Sequence, residues 1–191
     1  MEDNHPAANE LKSRMHSIQT SLQGGDRRSI GKSGEVVARV LKEPELFGEL
    51  MSGIGLDDPL VRMRCADAAE KISAIHPDWL QPYKRKLLGE LANIEQQEVR
   101  WHVAAMLVRL KLSAVERKCV VELLLSWTND RSSIVKTLSM QALADIALQD
   151  AGSLPEVRKH IEELCIIGTP AMKARGKKLL VLFDRRHDDN E

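Results

Sequence analysis

Apolar residues recur along this chain in a helical rhythm, and the rhythm itself repeats. Val61, Cys65, Ala68, Ala69 and Ile72 form one stripe, and Val99, Val103, Met106, Leu107 and Leu110 a second. Val135, Ser139, Ala142, Leu143 and Ile146 form a third, and Met172, Gly176, Leu179, Leu180 and Phe183 a fourth. The offsets within each stripe are 0, 4, 7, 8 and 11, which fall on one side of a helix. The four leading residues stand 38, 36 and 37 positions apart. One helix at a fixed period predicts a repeat architecture.

A second set of apolar positions precedes each stripe. Leu46, Tyr83, Cys119 and Val157 line up; one turn later come Leu50, Leu87, Leu123 and Ile161, and a further turn gives Ile54, Leu91, Trp127 and Cys165. Each repeat is thus predicted as a helix, a short turn and a second helix. Helix pairs start near Pro44, Pro77, Ser113 and Leu154. The turns agree: Asp57-Asp58-Pro59, Asn129-Asp130 and Thr169-Pro170 stand just before second helices, where capping side chains and an N-terminal proline are favoured. Upstream, Leu11, Met15, Ile18 and Leu22 predict an amphipathic helix over Asn9–Gln23, stopped by Gly24-Gly25. A shorter helix is expected over Ser33–Lys42. These two cap the first pair. The domain reading is an N-terminal segment 1–28, a helical domain 29–184 and a polar tail 185–191.

No single pair can bury its apolar face alone, so neighbours must stack. The expected fold is all-α, a short curved solenoid of about four helix pairs with N-terminal capping helices. The Trp, Gly and Tyr pattern of tetratricopeptide repeats and the Thr-Pro-Leu-His turn of ankyrin repeats are absent. The run Asp57-Asp58-Pro59-Leu60-Val61-Arg62, continued by Ala66-Asp67-Ala68-Ala69-Glu70-Lys71-Ile72, resembles HEAT repeats. The resemblance covers Pro44 to Phe183, and implies a right-handed α-α superhelix of the HEAT/armadillo type. It says little about function, because such arrays serve many roles.

The resemblance also implies a basic ladder. Arg62, Arg100, Lys136 and Lys173 share one repeat position. In HEAT families such a residue pairs with an acid in the preceding turn, here Asp57 or Asp58, Glu95 and Asp130. Gly168 and Thr169 leave Lys173 without such a partner.

Charge narrows the function classes. Lys plus Arg equals Asp plus Glu at 28 each, and a zero net charge argues against a general nucleic-acid or membrane-surface binder. A nucleic-acid contact through the basic C-terminal repeat (Lys173, Arg175, Lys177, Lys178, Arg185, Arg186) is the lesser expectation. No stretch reaches the about 18 apolar residues of a membrane helix, and Met1–Asn9 lacks an apolar signal core. Cys65, Cys119 and Cys165 sit in apolar patterns with no CxxC pair, and read as reduced core thiols. The expected location is the cytoplasm.

Catalytic and metal signatures are missing. Gly25 stands one residue too early for a phosphate loop ending in Gly31-Lys32-Ser33, Asp26 takes the required glycine's place, and no strand precedes it. The six histidines form no HExxH or paired-ligand spacing. No metal, cofactor or catalytic residue is expected.

The most informative positions are offsets 2, 5 and 9 of the second helices, opposite the core stripe. They are Met63, Ala66 and Glu70; Trp101, Ala104 and Val108; Thr137, Met140 and Ala144. The resemblance places this side on the concave face. A helix apolar all round is covered by something, either the N-terminal helix or a partner. The expected function is a non-catalytic scaffold taking a peptide or helix of another protein in this groove. Trp101 would be the anchor, Met63 and Met140 adaptable walls, and Arg62, Arg64, Arg100 and His102 polar contacts. The alternative is a nucleic-acid-binding protein similar to the HEAT-like glycosylases that act on alkylated DNA bases. Those carry Trp, Arg and Asp on a basic concave surface, whereas Ala105 stands one turn from Trp101 here. HEAT-like lyases that attach bilin pigments form a third class, with no residue here marking a pigment site.

Overall fold

Side chains that bond backbone N–H groups set the helix starts. Asp58 Oδ1 accepts from the amides of Leu60 (2.8 Å) and Val61 (3.3 Å), followed by Pro59 in the first turn. Ser113 and Glu116 form a reciprocal capping box. Thr169 Oγ1 accepts from Met172 N at 3.4 Å. The expected cap at Asn129-Asp130 lies further on: Ser132 caps the helix, while Asp130 Oδ1 accepts from Ser132 N at 2.7 Å.

These starts generate an all-helical chain. The structure is a computed structural model describing residues 18–24 and 31–188, with side chains up to 185. Residues 18–22 are helical; the rest of the helix expected over 9–23 lies largely outside the described residues. Then come α1 (Ser33–Lys42), a 3₁₀ turn (Pro44–Leu46), α2 (Phe47–Gly53), α3 (Pro59–Ile75), a 3₁₀ segment (Pro77–Tyr83), α4 (Lys84–Leu88), another 3₁₀ turn (Leu91–Asn93) and α5 (Gln97–Leu107). After these follow α6 (Ala114–Trp127), α7 (Ser133–Gln149), α8 (Leu154–Ile167) and α9 (Pro170–Asp188). Among the described residues there is no strand. The chain divides into two compact units, Met1–Val103 and Ala104–Glu191, the division falling inside α5.

In the first unit α3 is the central helix, packed by α1 and α2. All of Val61, Cys65, Ala68, Ala69 and Ile72 are buried, as the stripe predicts. Ile18 and Leu22 are buried too. The first helix of the second pair is not continuous: Pro82 lies inside the 3₁₀ segment and Gly89 follows α4. A proline has no N–H for the helical ladder, so this stretch winds tighter and breaks. α5 ends at Leu107, leaving Leu110 buried beyond it.

In the second unit α7 packs against α6, α8 and α9. Val135, Ser139, Ala142, Leu143 and Ile146 are buried, as are Met172, Leu179 and Phe183; Leu180 is half-buried. The α6 expectation needs a correction of one residue. Cys119 is exposed and Leu123 half-exposed, while Val120, Leu124 and Trp127 are buried. With that change Leu46, Tyr83, Val120 and Val157 stand at a constant spacing of 37, as do the buried Leu50, Leu87, Leu124 and Ile161.

Two helix crossings are closer than ordinary side chains permit. A Cβ on Gly53 of α2 would overlap Cys65 Sγ of α3. In the second unit the order is reversed, and a Cβ on Gly176 of α9 would overlap Cys165 Sγ of α8.

Candidate interaction site

The residues nominated for a groove do not share one environment. Met63 is only 8% exposed and Met140 is fully buried, so neither is an open wall. Ala66, Ala104 and Ala144 at the same offsets are also buried. The protein itself covers much of the side opposite the core stripe. Arg64 is 2% exposed; its guanidinium donates to Leu22 O at 2.7 Å and Gly24 O at 2.6 Å. It closes the C-terminal end of the helical segment 18–22, whose last carbonyls lack helical partners. Trp101, Arg100 and His102 remain half-buried, and the Trp101 and His102 rings meet edge to face at 5.7 Å.

His102 belongs to a polar cluster that the linear pattern does not reveal. Its Nε2 lies 3.9 Å from Asp67 Oδ1 and its Nδ1 3.8 Å from Glu70 Oε2. Asp67 also accepts from Ser33 Oγ and, at 2.7 Å, from Lys71 Nζ. Ser33 opens α1 as a fully buried partner of an acid, which is unsuited to a phosphate.

His102 stands at offset 3 of its helix, facing Asp67 at offset 6 of the preceding one. The same pairing recurs in the second unit: Arg175 Nη1, at offset 3 of α9, donates to Gln141 Oε1, at offset 6 of α7, at 2.9 Å. Gln141 Nε2 then donates to Asp145 Oδ1 at 2.9 Å. Burial pushes the Asp145 carboxyl above its ordinary range, opposed by the Gln141 hydrogen bond and by Arg109 and Arg175. Arg64 is the third offset-3 residue that reaches back to a preceding element. The available sequence signal was the polar residue at offset 3 in three of the four second helices, Arg64, His102 and Arg175, with Leu138 in the third.

The basic row follows a different rule from the expected ladder. Arg62 Nε donates to Gln96 Oε1 at 2.9 Å, and Gln96 Nε2 donates to Pro59 O at 2.8 Å. Asp58 is already committed to its helix start, so an amide serves where a carboxylate was expected. Arg100 is half-buried in the first unit, Lys136 and Lys173 in the second. Neither lysine forms an ion pair among the described residues.

Thiols and acids depart from expectation as well. Cys65 is a buried core thiol, but Cys119 is exposed and Cys165 half-buried. The flanking Val120 and Val121 carry the apolar face that Cys119 was expected to share. Glu49 on α2 is 3% exposed, and neither carboxylate oxygen has a hydrogen-bond partner. Burial raises its pKa to about 7, with Arg39 pulling it down. Burial, and then Glu49, push the Cys65 thiol up to about 12.

Sequence reasoning also missed an aromatic group. Phe47 of α2 meets Trp79 at 5.6 Å and Tyr83 at 5.8 Å, tilted by 66° and 70°. His76 stacks on Trp79 at 4.5 Å. The rings face a cleft of about 400 Å³. These residues come from a first-helix start and the 3₁₀ segment, outside the outward stripe of the second helices.

Among the described residues, no group of three acidic, histidine or cysteine side chains could hold a metal ion. No described helix is long and apolar enough to cross a membrane. No protein-family model, curated protein or solved structure matches this chain.

Proposed function

We propose that this chain is a HEAT-like solenoid, a right-handed α-α superhelix, that works as a non-catalytic protein-interaction module in the cytoplasm. The observation that supports this best is the constant 37-residue spacing of the buried Leu50, Leu87, Leu124 and Ile161. Repeats that recur in register are the unit from which stacked binding scaffolds are built. The family resemblance of the second helices points the same way.

The partner is a peptide or helix of another protein, and its anchor is Trp101. Half-buried tryptophans beside charged groups are favoured contact residues. With Met63, Met140 and Arg64 occupied inside the protein, the polar contacts reduce to Arg100, His102 and the neighbouring Glu70. Asp67 and Glu70 lie against His102, whose ring meets Trp101; acids there disfavour a phosphate backbone, which speaks against the glycosylase-like alternative.

The test has two parts. A copurifying protein is identified and its affinity measured for the wild-type chain and Trp101→Ala. We expect a loss of about tenfold or more. Unchanged affinity removes Trp101 from the binding surface. A gel shift with duplex DNA that weakens steeply with salt would instead support the nucleic-acid reading.

A further inference from the structure

The chain has only six aromatic residues, two Phe, three Trp and one Tyr, and three of them converge on a single cleft in the first unit. Phe47 is buried and forms the floor; Trp79 and Tyr83 are half-buried. Both stand steeply on the Phe47 ring, at 66° and 70°, so they rise as walls. His76 stacks on Trp79 at 4.5 Å, nearly parallel, and holds that wall upright.

The rim has one sign of charge. Glu45 and Asp78 line the cleft, both exposed, and neither forms an ion pair among the described residues. No lining residue is basic. Pro44 and Pro82 complete the rim, and a proline has no backbone N–H to offer an anion. Electron-rich ring faces with two free carboxylates attract an organic cation. The rim residues are all solvent-exposed, so the cleft is entered from outside rather than closed around a free ion.

We propose that this cleft binds a basic side chain, lysine or arginine, presented by a partner polypeptide. The proposal rests on the interaction-module reading only for the source of that cation. It does not depend on Trp101, which lies on a different helix.

The three tryptophans give three indole N–H signals in a nitrogen-labelled sample of the full chain, one each for Trp79, Trp101 and Trp127. Tetramethylammonium chloride probes the cation preference alone. A capped glycine-lysine-glycine tripeptide, set against its norleucine counterpart at constant ionic strength, probes the side chain. We expect the Trp79 signal to move with tetramethylammonium and with the lysine peptide, and to respond far less to norleucine. Glu45→Gln combined with Asp78→Asn changes only exposed side chains; it should weaken the lysine peptide by about threefold or more. An unmoved Trp79 signal, an equal response to norleucine, or an unaltered lysine affinity in the double variant would overturn the proposal. Movement with tetramethylammonium but not with the lysine peptide overturns the polypeptide source. If the Trp79 response holds while Trp101→Ala leaves partner affinity unchanged, the cleft stands and the Trp101 surface falls.

Discussion

Glu49 illustrates what a single residue can conceal. In Phe47-Gly48-Glu49-Leu50 it looks like any acid facing water, yet its carboxylate is buried without a hydrogen-bond partner, and a charge in that position is costly. Its folded pKa of about 7 stands above the ordinary 4.5. Between those values the folded chain keeps a proton that the unfolded chain releases, so stability falls as pH rises from 4.5 to 7 and stays lower above. Glu49→Gln should therefore stabilise the protein at pH 8 by about 1–2 kcal/mol, a figure discounted for solvent screening, and by much less at pH 5. Urea unfolding at the two pH values checks this; an equal effect at both would remove the buried charge from the explanation. The sequence could not show it, because composition and spacing do not distinguish a buried acid from an exposed one on a seven-residue helix. The role of Trp79 is hidden in the sequence for a related reason. It lies off the helical stripe, and only the folded 3₁₀ segment brings it to Phe47 and Tyr83.

At the scale of elements, pattern and structure agree wherever polar residues separate the apolar ones. The stripes of α3 and α7 are buried at every position, because Asp, Lys, Gln and Thr interrupt them and fix the helix's rotation. In α6 Cys119, Val120 and Val121 run together, as do Leu123, Leu124 and Leu125, so two rotations look equally apolar. The capping box at Ser113 fixes where the helix begins but not which side turns inward. The difference is measurable. Leu124→Ala should cost about 2–4 kcal/mol, as for a filled core site, and Leu123→Ala under about 1 kcal/mol. A larger cost at Leu123 than at Leu124 would favour the one-residue-shifted register. The groove expectation failed at Met63 and Met140 by a similar ambiguity. An apolar residue opposite the core stripe reads the same whether it meets a partner or a neighbouring helix.

For the whole chain, helical class was legible because one periodicity runs from Ile18 to Phe183. Charge is also a whole-molecule property. Equal numbers of acids and bases give a pI of about 7.0, and Ile166 and Ile167 are 74% and 79% exposed. Near-zero charge with exposed apolar side chains promotes self-association. Light scattering at low salt should show the strongest mutual attraction near pH 7. Repulsion should return as the pH is moved away from the pI and net charge builds up; a trend in the opposite direction would assign association to something other than charge neutrality.

The reversed crossings bear on how alike the repeats are. One crossing puts the bare α-carbon on the first helix of a pair and the sulfur on the second; the other exchanges them. What the two crossings share is a combined volume, divided differently between the partners. A comparison made position by position scores Gly53 against Leu164 or Cys165, and Cys65 against Gly176, as mismatches. Counted as joint occupants of one contact, each crossing holds the same two residues. Resemblance between these repeats is therefore greater in pairs than in single letters, and either glycine can grow only if its cysteine shrinks.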